Sequence, residues 1–270
     1  MAGLHQLKIF YAGSLMICIR CDRLTGREPP RERAAKRRAS SDASKQKNII
    51  NSARKLELLL ATNFPTPRSG LVLTMGFDDK HLRRIMKHKR PSRQRKTVRE
   101  CINEFRKALR AERAAAGLPP PRDITSIEIL TSENQRWHVH CVIDATGDDL
   151  PMVRRAWRFG DNIEARPLRV DSEKNHTTLA QYMAKESREL QDHEARPGQR
   201  VWSYSLNIKK YEIVSLTVPA DYTLPIPKGA EVLEDERRDN EFSSYRYTKI
   251  RLSDEAFPKP AKAHRSKPEI

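Results

Sequence analysis

The sequence predicts an α+β fold carrying a mostly antiparallel sheet, and three observations point there. Apolar residues alternate with polar ones along several short runs, the period-two signature of strands with one buried face. Two longer segments replace that alternation with helical spacing. The polar run TSENQR, residues 131–136, separates two alternating runs by so few residues that the strands it joins must be antiparallel.

Taken in order, LKIFY and LMICIR flank Gly13 and Ser14 and read as a β-hairpin. REPPRERAAKRRASSDASKQK is polar and basic without apolar period, so it is expected to be a loop or arm that contacts phosphate without chemistry of its own. In IINSARKLELLLATNF, the spacing of Ile50, Ala53, Leu56, Leu59 and Leu60 predicts a helix. SGLVLTMGF, residues 69–77, predicts a buried strand. KHKRPSRQRK, residues 87–96, is the densest basic run. It is expected to precede an amphipathic helix with the stripe Val98, Cys101, Ile102, Phe105 and Leu109, which GLPPPRD stops.

Next come the strand ITSIEIL, the TSENQR turn and the strand RWHVHCVID. DLPMVRRAW predicts a short helix, IEARPLRV a strand and HTTLAQYMAKESREL a second clear helix. RVWSYSLNI and YEIVSLTV are strand-like. Beyond Pro219 the chain turns proline-rich and charged, and KPAKAHRSKPEI reads as a tail. The expected organisation is an N-terminal hairpin and basic arm (1–48), a central domain (49–218) and a charged C-terminal extension (219–270). There is no internal repeat.

Composition narrows the function. The 270 residues are 37% hydrophobic and 32% charged, enough for a modest core. Against 35 Asp and Glu stand 52 Lys and Arg, a net charge of +17, which favours a polyanionic partner through counterion release. No run of about 18 apolar residues exists, so no membrane span is expected. The opening segment lacks a basic n-region and is broken by Gly13 and Ser14, a poor signal peptide, and the expected compartment is the cytoplasm. The four cysteines are too few for a disulfide scaffold at this length. Cys18 and Cys21 make half a zinc motif with no second half; Cys101 and Cys141 sit on apolar faces and are expected in the core.

The chemistry begins at RWHVHCVID. Val139, Cys141 and Ile143 take one face of the strand, so His138 and His140 stand side by side on the other. Two imidazoles at i and i+2 can converge on one ion, although a solvated polar face would show the same pattern. A third ligand is sought on the neighbouring strand, where Ile127 and Ile129 leave Glu128 pointing away from the apolar face. A turn centred on Glu133 or Asn134 sets Glu128 opposite His138 or His140 on their face; a centre between those residues turns it away. Glu133 and Asp144 are the reserve candidates.

On the second helix, Leu179, Ala180 and Met183 form the burying stripe, while Tyr182 and Lys185 are three apart and therefore neighbours. A free phenol has a pKa of about 10, so roughly one in a thousand is ionised at pH 7. Phosphate polarised by a metal removes most of that handicap, and Lys185 can add positive charge beside the phosphate or the leaving oxygen. A packing role for Tyr182 is the alternative. For phosphate contact the candidates are Lys87, Lys89, Arg90, Arg93, Arg95 and Lys96. Trp137 and Trp202 are either base-stacking platforms or core residues.

The order LVLTM, IEIL…RWHVHCVID, LAQYMAKE, GQRVWSYSLNIKKYE resembles the rolling-circle replication-associated proteins of the HUH endonuclease superfamily, those with a single catalytic tyrosine. The likeness covers roughly residues 50–218. HVH with an upstream Glu and a downstream Y-x-x-K is a specific combination where either piece alone is not. The resemblance implies a ferredoxin-like fold in which His138, His140 and Glu128 hold Mg2+ or Mn2+. It implies that Tyr182 attacks a DNA phosphodiester, leaving a 5′-phosphotyrosyl link and a free 3′-hydroxyl, with Lys185 as the lysine that follows the tyrosine. The activity implied is nicking and rejoining of single-stranded or hairpin origin DNA during replication of a plasmid or phage. No G-x-x-x-x-G-K-[ST] follows, so a host helicase and polymerase are the expected partners. Trp137 and Val139 stand around the first histidine where relatives often carry other residues.

Neighbouring readings share parts of this pattern. A transposase or mobilisation relaxase would use the same chemistry in another process. A DNA-binding regulator would keep the scaffold with an idle site, and divalent-metal-dependent cleavage separates it from an enzyme. A two-histidine phosphoesterase, suggested by HTT at His176, needs two H-x-[ST] motifs, and His138 is followed by Val-His instead.

Overall fold

The computed structural model describes residues 4–22, 42–129, 136–171, 175–192, 202–240 and 243–253. They form ten β-strands and five α-helices in two five-stranded antiparallel sheets, an α+β architecture. The chain divides into two compact units, Met1–Arg27 with Tyr211–Ile270, and Glu28–Lys210.

The first unit starts with the expected hairpin, β1 (Leu4–Ala12) and β2 (Leu15–Asp22). Gly13 opens its two-residue turn at φ 57°, the first-position glycine that a type II′ turn requires. β8 (Glu212–Pro219) pairs with β1, and β9 (Glu231–Asn240) with β10 (Ser243–Arg251) completes the order β8-β1-β2-β10-β9. Two sequence expectations differ here. YEIVSLTV joins this sheet rather than the central one, and residues 231–251 are strands rather than an extension. Their apolar alternation is thin because charges bridge the strands directly, as where Arg246 Nε donates to Asp235 Oδ1 at 2.8 Å. Leu7, Ile9, Met16, Cys18, Val218, Ile250 and Leu252 form this unit's apolar cluster. Cys18 and Cys21 lie three positions apart on one strand, hence on opposite faces, an arrangement unsuited to sharing an ion.

The second unit contains α1 (Asp42–Asn63), β3 (Leu71–Gly76), α2 (Asp79–Met86), α3 (Pro91–Ala115), β4 (Asp123–Ile129) and β5 (Trp137–Ile143). It continues with α4 (Leu150–Ala156), β6 (Ile163–Pro167), α5 (Thr177–Asp192) and β7 (Trp202–Tyr204). The sheet order is β6-β3-β5-β4-β7, which makes the histidine strand β5 the central one. Gly70 is required at the start of β3, because a Cβ there would stand 2.4 Å from the Ile143 carbonyl oxygen.

One face of this sheet carries the core. Trp137, Val139, Cys141 and Ile143 of β5 pack with Leu71, Leu73 and Met75 of β3 against Val98, Ile102, Phe105 and Leu109 of α3 and Val153 of α4. On the other side α5 packs on β4 and against α1. The α1 stripe runs through Leu56, Leu59 and Leu60 as expected, but Ile50 is exposed, so burial begins a turn later. α2 was not anticipated. α3 begins at Pro91, whose fixed φ suits a first helical turn, so residues 91–96 of the basic run lie inside the helix it was expected to precede.

Candidate active site

The register of β4 on β5 decides what can meet. Glu128 pairs with His138 and Ser126 with His140, the arrangement symmetric about position 133. From the other side, Thr74 of β3 pairs with His140 and Gly76 with His138. Because directly paired residues share a face, His138, His140, Glu128, Ser126 and Thr74 all point away from the core. Glu133 lies outside the described residues.

On that face, His140 Nε2 stands 2.7 Å from Glu128 Oε2, with the two side chains 7% and 18% exposed. Thr74 Oγ1 lies 3.3 Å from His140 Nδ1. The Tyr182 ring meets the His140 ring edge-on, centroids 5.5 Å apart at 79°. Tyr182 is 48% exposed, so its phenol faces a region that a large ligand can reach.

Two anchors and a buried stripe hold Tyr182 there. Ala180, Met183 and Ala184 bury one side of α5. At its start, Thr177 Oγ1 donates to Glu57 Oε1 at 2.7 Å, and His176 Nε2 lies 2.8 Å from the Phe64 carbonyl oxygen. Burial holds the His176 imidazole below its ordinary pKa. The HTT histidine is therefore a buried tie between α1 and α5.

His138 is half-buried, and burial likewise lowers its pKa, favouring the neutral ring that a metal ligand must be. Its Nδ1 is buried, with no hydrogen bond of good geometry beyond a weak approach to the Arg136 backbone. Among the described residues, no three His, Cys, Asp or Glu side chains are drawn together as a ready-made metal cluster. In this structure Glu128 spends its carboxylate on His140. Two neutral-capable imidazoles and a carboxylate on one face, with one ring nitrogen only weakly engaged, nonetheless have the donor chemistry of a divalent-cation site.

Other expected site residues fall elsewhere. Asp144, the reserve ligand, is committed to arginines: its Oδ2 accepts from Arg122 Nε at 2.9 Å and its Oδ1 lies 3.5 Å from Arg113. Lys185 is on α5, but its side chain lies outside the described residues. Trp137 is 1% exposed in the core, which removes it as a base-stacking platform. Trp202 is half-buried, its Nε1 donating to Ser52 Oγ at 3.0 Å. Tyr204 accepts a hydrogen bond from Lys210 Nζ, which also sits 4.0 Å over its ring. Lys87, Lys89, Arg90, Arg93 and Lys96 are exposed along the end of α2 and the start of α3. Arg95 is 2% exposed and is thereby withdrawn from that row.

Thr74 and Ser126 were missed as members of the site. The signal was present: in LVLTM, Thr74 alternates with Leu73 and Met75 and so belongs to the face opposite the core. Which strand would lie beside it was not legible.

No family model and no curated protein matches the chain. Among solved structures it is similar to the N-terminal nuclease domain of minute virus of mice non-structural protein 1, with Zn2+ in its active-site pocket and DNA recognition at an origin of replication. The identity is 10%, the match spans 79% of this chain and 73% of that one, and the TM-score is 0.20.

Proposed function

We propose that the second unit is a metal-dependent DNA endonuclease and strand transferase of the HUH type, nicking single-stranded origin DNA in rolling-circle replication. The observation that carries this reading is the meeting, on one face of the central strand, of His140, Glu128 and the exposed Tyr182. The strand order β6-β3-β5-β4, with α3 between β3 and β4 and α4 between β5 and β6, supports a ferredoxin-like core for it.

In this reading His138, His140 and Glu128 hold one divalent cation, Mg2+ or Mn2+. When bound, the cation supplies Lewis-acid polarisation of the scissile phosphate. Tyr182 Oη forms a bond to phosphorus as the P–O3′ bond breaks; the phenol loses its proton to water and the leaving 3′-oxygen takes one up. Lys185, three residues further along the sequence, would add positive charge beside the phosphate or the leaving oxygen. Lys87, Lys89, Arg90, Arg93 and Lys96 contact backbone phosphates, giving a salt-sensitive, sequence-tolerant affinity. Among the described residues no helix is long and apolar enough to cross a membrane. Unwinding and synthesis fall to a separate helicase and polymerase.

The test is incubation of the full chain with single-stranded oligonucleotides labelled at the 3′ end, with Mn2+ or a chelator. The expected result is a covalent protein–DNA species that survives denaturation, carries the label and needs the metal. Tight DNA binding with no adduct across varied oligonucleotides, hairpins included, would instead favour a regulator on this scaffold.

A further inference from the structure

We propose that β8, an outer strand of the first unit's sheet, is a self-association edge that pairs antiparallel with β8 of a second copy of this chain, with Ser215 on the twofold axis. The proposal is independent of the nuclease reading, since no residue of the second unit enters it.

The sheet edges carry the argument. An outer strand presents unpaired N–H and C=O groups, and proteins blunt such edges with charge, proline or brevity. Among the described residues the two sheets have four edges. β7 is three residues long. β6 is five, with Glu164, Arg166 and Pro167 among them. Seven of the ten residues of β9 are charged. β8 has eight residues, and its only charge and its only proline stand at its two ends, Glu212 and Pro219. Residues 213–218 between them are uncharged, in a chain of which 32% is charged. Apolar surface is exposed on both faces of this edge. Leu216 pairs with Leu7 and is 42% exposed, while Ile213 pairs with Phe10, on the other face, and is 52% exposed.

Charge and register select the occupant. The first unit carries 14 Lys and Arg against 12 Asp and Glu, so only 2 of the 17 net positive charges belong to it. Two first units therefore meet almost uncharged, whereas two second units would repel. The strand is also complementary to itself read backwards. With Ser215 on the axis, Val214 stands against the partner's Leu216 and Ile213 against the partner's Thr217, each pair occurring twice. Glu212 meets the partner's Val218 rather than a second glutamate. Pro219, with no N–H to give a ladder, stays outside the paired segment. Directly opposed residues share a face, so this register carries the apolar cluster of Val214 and Val218 across the axis. A shift by one residue would set each copy's cluster face beside the other's opposite face.

The experiment is sedimentation equilibrium of the full chain over roughly 1–100 µM in about 0.5 M salt, where nucleic acid cannot bridge copies. The wild-type mass is expected to double across that range. S215K, at an exposed position, sets two ammonium groups opposite each other and is expected to weaken association at least about tenfold, with the circular dichroism unchanged. S215C should form an intermolecular disulfide under mild oxidation, because opposed Cα atoms about 4.5–5.5 Å apart suit that bond. T217C, also exposed, would lie four residues along the strand from its own copy, about 13 Å, and should not cross-link. The cysteine pair keeps the test decisive if S215K fails to fold. A wild-type chain that stays monomeric at every concentration overturns the proposal and leaves the edge to a peptide of another protein. Association that a folded S215K does not weaken overturns it too, as does cross-linking of T217C as fast as S215C.

Discussion

Replacing Tyr182 by Phe removes one oxygen atom and, on the reading above, the reaction. The structure sets how small the collateral damage should be. Tyr182 is 48% exposed, and its edge-on contact to His140 at 5.5 Å is equally available to Phe. A conservative change at a side chain this exposed costs within about 0.5 kcal/mol, a Tm change of roughly 1–2 °C for a unit of this size. Binding of single-stranded DNA, carried by the basic row of α2 and α3, should stay within about twofold of wild type. Adduct formation should fall by at least about 10³-fold, because the bond-forming atom is gone. Tyr204 is held by Lys210 and is not placed to substitute. The assay is a denaturing gel with 3′-labelled oligonucleotide and Mn2+, run beside anisotropy and thermal melts. A variant that still forms the adduct at the wild-type rate would refute Tyr182 as the nucleophile. A variant that loses the adduct only together with its fold or its DNA affinity would refute the separation of roles.

Other outcomes follow from the same geometry. His140→Ala should abolish cleavage through the metal, so excess Mn2+ should restore part of its activity and none of that of Tyr182→Phe; equal rescue of both would sink the assignment. Neutralising Arg93 or Lys96 should lower the slope of log affinity against log salt by about 0.7 per lost phosphate contact on single strands, whereas Arg95→Met should leave the slope alone and destabilise by on the order of 1–3 kcal/mol. A changed slope in Arg95→Met would contradict its burial. For His176, burial lowers the folded-state pKa, so on acidification the unfolded chain takes up the proton first. Its contribution is present above the unfolded value of about 6.5 and is lost as pH falls from there through the folded pKa. Denaturant titrations should show His176→Gln flattening that acid-side loss, and an unchanged pH profile would remove the residue as its source.

How much of this was legible in the sequence depends on the range of the interaction. The alternation in RWHVHCVID assigned each residue of β5 to a face, and Trp137, Val139, Cys141 and Ile143 are buried in the core accordingly. The registers open to TSENQR included the observed one, in which Glu128 faces His138. The 2.7 Å contact from Glu128 to His140, diagonal to that pair, required side-chain conformations no spacing encodes. Arg95 was read as surface because a basic run looks solvated throughout, yet a helix turns one residue of any such run inward. The hairpin β9–β10 was hidden by its composition, since both strands stabilise each other with cross-strand charges. The neighbourhood of Tyr182 was the least legible of all. It depends on α5 being tied to α1 by Glu57 and the Phe64 carbonyl, residues more than a hundred positions upstream.

That tie has a consequence for how core and site are coupled. The site face of β5 has no foundation of its own: His138 and His140 stand where they do because Val139 and Cys141, 0% exposed, lock the strand onto the opposite layer. With a side-chain period of two, a one-residue slip of β5 would send both histidines into the α3 layer and both apolar residues to the opposite face. Register is therefore specified by the core, and the site inherits it. Tyr182 is different, because α5 is set on its face through a hydrogen bond, a carbonyl contact and the buried stripe of Ala180, Met183 and Ala184 rather than through the ladder. Loosening the α1–α5 tie should thus displace Tyr182 while leaving the histidines and Glu128 in register. On the proposed reading the two halves of the chemistry are separable because different forces position them: strand pairing for His138, His140 and Glu128, helix docking for Tyr182.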